Sequence, residues 1–277
     1  MHTSVFKNEV MEALNISKGK VFIDATFGQG GHSEEIKSLG GIVLGIEIDP
    51  DQVKKYNGNI TIINGSFADL EKIAKENITL PIDGVLFDFG LSMVQLKEGN
   101  RGFSYRSQDD PLDMRMSNRG QTVAEYLHST DGESLLEDIM KYSEDVYSQK
   151  IVDNILRFRS SNKFEKVSDL LKVLDEAMPY SDLRDRQKTY ARVFQALRMV
   201  INNELGAITK GLTGAIKIVK SGGRIVIITF HSIEDRLVKK FARDHKAQIN
   251  YIRNSVSSSR KLFKFERSAT LRVFTKL

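Results

Sequence analysis

A glycine-rich loop follows the first short apolar run of the sequence. That run ends at Asp24, and Gly28, Gly30 and Gly31 follow it closely. Because glycine has no Cβ, its backbone can turn tightly and approach a ligand at the end of a strand. A serine occupies the last position of G-x-G-x-x-G, so the dinucleotide fingerprint fails. The carboxylate of Asp24 favours a small cationic nucleoside as the ligand over a pyrophosphate. The alternative is that this segment is an ordinary strand–helix turn without a ligand.

Two further residues follow the next apolar runs. Asp49 lies 19 residues after Gly30. A carboxylate accepts two hydrogen bonds at once, so it can hold both hydroxyls of a ribose. Aspartate is also a good helix N-cap, which is the alternative here. Phe67 can cover a flat adenine or belong to the core.

Asp88 ends the fourth apolar run, and Phe230-His231-Ser232 ends the fifth. An acid at the end of a buried strand is costly unless it is paired or functional. His231 lies directly beside Ser232 and no G-x-S-x-G is present, which argues against a hydrolase triad. With no cysteine and no H-x-x-x-H spacing, we expect no dedicated metal site.

Three arginines lie among glycines and aromatic residues shortly after Asp88. They are Arg101, Arg106 and Arg115. Such a cluster can hold a nucleotide of an RNA substrate, or it can form a salt-bridged hinge.

The elements that must position these residues are predicted from the apolar runs. Continuous apolar runs are typical of parallel strands buried on both faces. Helical stretches separate the first of them, and a βαβαβ order predicts an open, doubly wound α/β sheet. The predicted strands are Lys20–Asp24, Ile42–Ile46, Ile60–Ile63, Gly84–Phe89 and Gly223–Phe230, with helices at Ser33–Leu39, Asp51–Tyr56 and Ala68–Glu76.

About 134 residues separate Gly90 from Arg224, where one crossover needs roughly 30. We therefore expect a helical substrate-recognition domain, residues 101–198, inserted into a domain formed by 1–100 and 199–277. Its predicted helices are Glu133–Tyr142, Ser148–Arg157, Lys166–Met178 and Thr189–Leu205. In the tail, Ile249–Ile252 and Thr270–Phe274 are predicted edge strands, with a mobile loop over Arg253–Lys261.

Charge is distributed unevenly along the 277 residues, whose net charge is +5. The segment from Arg236 to Leu277 holds 12 Lys and Arg against 2 acids, so it carries +10. This predicts a polyanionic partner, contacted by Arg260, Lys261 and Lys264.

No apolar run is long enough to span a membrane, and the lack of cysteine suits a reducing cytoplasm, so we expect a cytoplasmic protein.

Together these motifs resemble the bacterial RsmH (MraW) family of S-adenosylmethionine-dependent ribosomal RNA methyltransferases. Five separated blocks carry the resemblance in the family order. They are Asp24-x-Thr26-Phe27-Gly28-x-Gly30-Gly31-His32-Ser33, Arg101-Gly102-Phe103-Ser104, Pro111 to Met116, Phe194 to Leu205, and Phe230-His231-Ser232-x-Glu234-Asp235-Arg236.

The resemblance implies a Rossmann-like methyltransferase sheet and methylation of the exocyclic amino nitrogen of a cytosine, position 1402 of 16S rRNA. The partner is then 16S rRNA, within the small ribosomal subunit or a precursor; the oligomeric state stays open. The implied S-adenosylmethionine contacts are Gly30, Gly31, His32, Asp49, Phe67, Asp88 and Gln95. Asp88 is also the expected catalytic acceptor for the amine, with His231 as the lesser candidate. Alternatives are a methyltransferase for another RNA or a small molecule, and a non-catalytic RNA-binding assembly factor.

Overall fold

The strands form one seven-stranded sheet within residues 4–98, 100–178, 182–257 and 268–277, the part of the chain that the computed structural model describes. The strand order is β3-β2-β1-β4-β5-β7-β6. The pairs β3–β2, β2–β1, β1–β4 and β4–β5 are parallel, and β5–β7 and β7–β6 are antiparallel. The strands are β1 (Val21–Asp24), β2 (Ile42–Glu47), β3 (Thr61–Asn64), β4 (Ile82–Asp88), β5 (Val219–Thr229), β6 (Ile249–Ser257) and β7 (Thr270–Lys276).

The predicted doubly wound, mostly parallel α/β sheet is therefore confirmed. The central strands β1 and β4 are buried on both faces, as continuous apolar runs require. In β3, by contrast, only Ile62 and Ile63 are half-buried, because this strand lies at the sheet edge.

Helices cover both faces of the sheet. In chain order the helices of the described residues are α1 (Lys7–Leu14), α2 (Gly31–Ser38), α3 (Pro50–Lys55), α4 (Leu70–Asn77), α5 (Met93–Glu98), α6 (Val123–Ser129), α7 (Gly132–Ser143), α8 (Ser148–Arg159), α9 (Val167–Ala177), α10 (Leu183–Ile201), α11 (Glu204–Ile218) and α12 (Ser232–Asp244). Apolar residues of α1 and α2 pack with Phe22 and Leu86, while those of α4, α11 and α12 pack with Ile23 and Phe87. Alternate residues of each central strand thus enter two separate cores.

The chain reverses direction across the sheet between β1 and β4. After β1 the chain builds outward to β3, and it then returns to place β4 on the other side of β1. In open α/β sheets, ligands bind at the carboxyl ends of the strands beside such a switch point. Asp24 and Asp88, the last residues of β1 and β4, lie at this point.

A second compact unit, Leu91–Glu204, interrupts the sheet unit, which comprises Met1–Gly90 and Leu205–Leu277. It begins earlier and ends later than residues 101–198, the bounds expected from sequence. Helices α6 to α10 enclose its apolar core. The predicted helix Thr189–Leu205 is wrong at its end: α10 stops at Ile201, and α11 starts at Glu204. Asn203 lies between them with φ 46°, a left-handed conformation that ends a helix.

The predicted loop over Arg253–Lys261 is wrong for its first five residues. They belong to β6, which continues to Ser257 and pairs with β7. Residues 258–261 lie outside the described residues.

None of the helices formed by the described residues is both long enough and apolar enough to cross a membrane.

Candidate functional site

The glycine loop is held by an aromatic side chain. Gly30 has φ 79° and caps α2. A Cβ there would lie 2.6 Å from Cζ of Phe27, and Phe27 also packs edge-on against Tyr56, with ring centroids 4.9 Å apart. Glycine at position 30 is therefore required both by the backbone conformation and by the ring beneath it.

Asp24 is buried directly below this loop. Its Oδ2 accepts a hydrogen bond from Ser33 Oγ (2.7 Å), and its Oδ1 accepts one from the backbone N–H of Thr26 (3.2 Å). Burial raises the pKa of Asp24 despite these bonds and the nearby His32. Asp24 therefore joins β1 to the first turn of α2.

Glu47, the last residue of β2, is the site residue that sequence reasoning missed. Its Oε2 accepts the backbone N–H of Gly28 (2.7 Å), and its Oε1 accepts that of Asp49 (2.8 Å). Burial raises its pKa to about 7, against the lowering effect of the two N–H groups, and the charges of Asp49 and Asp24 add to the rise. The signal was present in the sequence, since Glu47 also ends an apolar run.

Asp49 takes the N-cap position of α3. Its Oδ1 accepts the backbone N–H of Asp51 at 3.0 Å, and Pro50 occupies the first helical position. At least one oxygen of the Asp49 carboxylate therefore caps a helix, which is the alternative considered for this residue. The side chain is nevertheless buried at the same edge of the sheet as Glu47.

Asp88 and His32 face each other at the switch point. Asp88 Oδ2 lies 3.6 Å from His32 Nε2, and the backbone N–H of Asp88 donates to Thr26 Oγ1 (2.6 Å). Within the described residues, Asp88 Oδ1 and both ring nitrogens of His32 are buried without a hydrogen-bond partner. Buried polar atoms are normally satisfied, so these three atoms indicate the place of a polar ligand.

His231 caps α12 together with Glu234. His231 Nδ1 accepts the backbone N–H of Glu234 (3.4 Å), and Glu234 Oε2 accepts the backbone N–H of Phe230 (2.8 Å). His231 Nε2 lies 3.1 Å from Glu234 Oε1. Both ring nitrogens thus face groups of the cap, and Nε2 is buried without a hydrogen-bond partner among the described residues.

Phe67 is half-buried after β3. Its ring lies 5.8 Å from that of Phe87 and 5.7 Å from that of Phe89, measured between centroids. One side of Phe67 therefore belongs to the core, which is the alternative considered for it.

Several residues expected at the site lie in the unit Leu91–Glu204. Gln95 Oε1 accepts the backbone N–H of Ser92 (3.0 Å) at the start of α5. Arg101 donates to the carbonyl of Arg115 (3.2 Å), and Arg115 forms paired bonds to Asp113 (2.7 and 2.8 Å) that raise its pKa. The bonds of Arg115 to Asp113 fit the salt-bridged alternative, whereas Arg101 donates to a backbone carbonyl.

Arg106 differs from the other two arginines. It is exposed, with its guanidinium 5.9 Å from the centroid of the Tyr105 ring. The predicted RNA contacts Arg260, Lys261 and Lys264 lie outside the described residues.

The sheet edge thus combines four acids with unsatisfied polar atoms. The acids are Asp24, Glu47, Asp49 and Asp88, all close to the glycine loop. Such an edge suits a ligand that is cationic and offers hydroxyl groups.

Comparison with known proteins identifies the family of the chain. The sequence model of the MraW methylase family matches residues 1–276. The ribosomal RNA small subunit methyltransferase H of Dictyoglomus thermophilum is 38% identical over 260 residues, which cover 90% of this chain and 86% of the relative. That of Dictyoglomus turgidum is 37% identical and covers 99% of this chain and 96% of its own length. Among solved structures, an rRNA methylase from Streptococcus thermophilus has a TM-score of 0.46 at 9% identity, covering 98% of this chain and 93% of its own.

Proposed function

The chain belongs to the MraW methylase family, and we propose that it methylates the exocyclic amino nitrogen of a cytosine in 16S ribosomal RNA, using S-adenosylmethionine. The relatives' names support methylation of small-subunit ribosomal RNA. The cytosine at position 1402 is the specific target we propose, on the resemblance described above. The observation that carries the reaction is Asp88 Oδ1, a buried acceptor without a partner in the described residues, at the switch point.

S-adenosylmethionine, when bound, supplies an electrophilic methyl group on a positively charged sulfur. The acids at the sheet edge match that charge. We assign the close backbone approach to Gly30 and Gly31, polar contact to His32, and the covering of the adenine to the outer face of Phe67. Gln95 stays a proposed contact on the family resemblance alone.

Glu47 is the better candidate for holding the ribose hydroxyls. Asp49 Oδ1 already caps α3, whereas Glu47 ends its strand beside Gly28. Glu47 Oε1 also accepts a hydrogen bond from Gln52 Nε2 (3.4 Å), so Oε2 is the oxygen that can accept a ribose hydroxyl in addition to its backbone donor. Glu47 would then hold the ribose and the glycine loop with the same carboxylate.

Asp88 is the proposed catalytic residue. The amino nitrogen of cytosine is a poor nucleophile because its lone pair is delocalised into the ring. A hydrogen bond from the amine to Asp88 Oδ1 would turn that lone pair toward the methyl group and stabilise the positive charge that develops on nitrogen. The target base must leave its stack to reach this acceptor.

His231 is then a positioning residue. Its cap with Glu234 fixes the start of α12 at the edge where Asp88 lies.

For the unit Leu91–Glu204 we propose recognition of the RNA, with Arg106 as the exposed contact. We further propose that the chain acts in the cytoplasm, on the small subunit or a precursor of it.

The test is transfer of labelled methyl groups from S-adenosylmethionine to 16S rRNA, supplied both as a transcript made in vitro and within small ribosomal subunits that lack the modification. We expect wild-type protein to label 16S rRNA and not 23S rRNA. Asp88→Asn keeps the shape but removes the charge, so turnover at saturating cofactor and RNA should fall at least about 100-fold. Asp69→Asn, an exposed acid of the same unit, is the matched control and should retain activity.

Other outcomes separate the alternatives. RNA binding without any transfer would indicate a non-catalytic assembly factor. Labelling of another RNA or of a small molecule would overturn the substrate. Near-normal turnover of Asp88→Asn would remove Asp88 as the acceptor and return His231 to that role.

A further inference from the structure

Helix α12 carries four cations on one face. Arg236, Lys239, Lys240 and Arg243 follow the spacing i, i+3, i+4 and i+7, which places side chains on one side of an α-helix. All four are exposed. We call this set the α12 stripe; seven residues of helix make it about 10 Å long.

The orientation of the stripe is fixed by the opposite face of the helix. Glu234, Val238 and Phe241 are buried there. Val238 and Phe241 pack in the same core as Ile249 and Phe274. The helix cannot rotate about its axis without exposing this apolar face, so the stripe is held toward solvent.

Among the described residues, acids leave two of the four cations of the stripe, Lys240 and Arg243, without an ion pair. Asp235 lies 2.9 Å from Lys239, but it also pairs with the buried Arg272 at 2.5 Å. The stripe therefore keeps an uncompensated positive charge.

On a second lysine-rich surface of the same unit, by contrast, acids lie among the lysines. Lys72 and Lys210 line an open groove of about 640 Å³ between α4 and α11. Acids are interleaved there: Glu71 accepts hydrogen bonds from Lys75 and Lys217, both at 2.7 Å. Mixed charges of this kind are typical of a merely solvated surface.

The α12 stripe also begins near the reaction site. The helix starts at Ser232, three residues after β5 ends, and β5 is the neighbour of β4, which ends at Asp88. RNA bound along the helix would thus extend from the edge of the sheet that receives the base.

We propose that the α12 stripe binds backbone phosphates of the RNA next to the target nucleotide. The inference rests on the proposed function, since an RNA substrate supplies the polyanion. Each cation that neutralises a phosphate releases a counterion, and it positions the strand without reading its sequence.

The experiment compares two double variants of the full chain. Lys240→Gln with Arg243→Gln removes two charges from the stripe; Lys72→Gln with Lys210→Gln removes two from the groove. The probe is a transcript of the decoding region of 16S rRNA. Its affinity is measured over a range of salt concentrations, together with cofactor affinity, kcat and KM.

We expect the stripe variant to bind RNA about tenfold more weakly near 0.1 M salt, with the salt slope reduced by about 1.4, or ~0.7 for each lost contact. KM for RNA should rise, while cofactor affinity and kcat at saturating RNA stay unchanged. The groove variant should behave as wild type.

Two results would overturn the proposal, and they have different meanings. If the stripe and groove variants bind RNA equally while wild type methylates it, only the role of the stripe fails. If wild-type protein neither binds nor methylates 16S rRNA, either as the transcript or within small subunits, the proposed function fails and the stripe proposal with it.

Discussion

At the residue scale, the carboxylates of the sheet edge make different contacts, although each ends or follows a strand. Asp24 fastens β1 to α2, Asp49 caps α3, and Asp88 leaves one oxygen unpaired within the described residues. Glu47 joins two loops through backbone N–H groups. Sequence placed most of these acids correctly at one edge, but it could not distinguish a cap from a ligand contact, because both use the same carboxylate oxygens.

Cofactor affinity separates Glu47 from Asp49. Glu47→Gln removes charge-assisted bonds worth about 1.5–3 kcal/mol each, so affinity should fall at least tenfold. Asp49→Asn retains an oxygen that can cap α3, and we expect a change of less than about threefold. Calorimetric titration with S-adenosylmethionine measures both variants. The reverse order of effects would assign the ribose to Asp49.

Glu47 should also make stability depend on pH. Its pKa of about 7 lies above the ordinary 4.5, so the folded state holds this proton more tightly than the unfolded state. The resulting stabilisation is complete below about pH 4.5 and is lost as pH rises through 7, a change of about 3 kcal/mol. The raised pKa of Asp24 acts in the same direction.

Urea unfolding at several pH values isolates this contribution. Between pH 4.5 and 8, the free energy of unfolding of wild type should fall relative to that of Glu47→Gln. Glu76→Gln, at an exposed position of α4, should show no such trend. A constant difference between wild type and Glu47→Gln would show that Glu47 does not titrate in this range.

At the element scale, the glycine loop depends on both conformation and packing. Gly30 and Gly222 have nearly the same φ, 79° and 78°, but a Cβ would meet Phe27 at position 30 and nothing within 4 Å at position 222. Both alanine variants should lose about 1–2 kcal/mol from left-handed strain. Only Gly30→Ala should also weaken cofactor binding, by at least tenfold. Urea midpoints and calorimetry provide the comparison; equal cofactor affinities would exclude a role for the Phe27 contact.

The strands were the most predictable elements. Strands β1 and β4 and the second half of β5 follow continuous apolar runs, because they are buried on both faces. Edge strand β6 was mistaken in part for a loop, since four of its residues 253–257 are polar and the segment pairs through the backbone. The break between α10 and α11 was missed because Asn203 adopts positive φ, which neighbouring residues do not reveal.

At the scale of the whole molecule, the apolar runs correctly predicted that Asp24 and Asp88 end strands of one sheet. The glycine loop, Asp88 and the charged C-terminal segment are far apart in sequence, and family membership was recognisable from five separated blocks. What sequence could not supply was orientation. Only the packing of Val238 and Phe241 determines which cations of α12 face solvent together.

Nucleoside mass spectrometry tests the central claim most directly. Unmodified 16S rRNA, free or assembled into small subunits, is incubated with S-adenosylmethionine and with wild-type protein, Asp88→Asn protein or none, and is then digested. We expect one methyl group on the amino nitrogen of a single cytosine with wild-type protein, at position 1402, and almost none in the other two samples. A methyl group on a different atom or base, or equal methylation by Asp88→Asn, would contradict the assignment of this sheet edge as a cytosine amino-methyltransferase site.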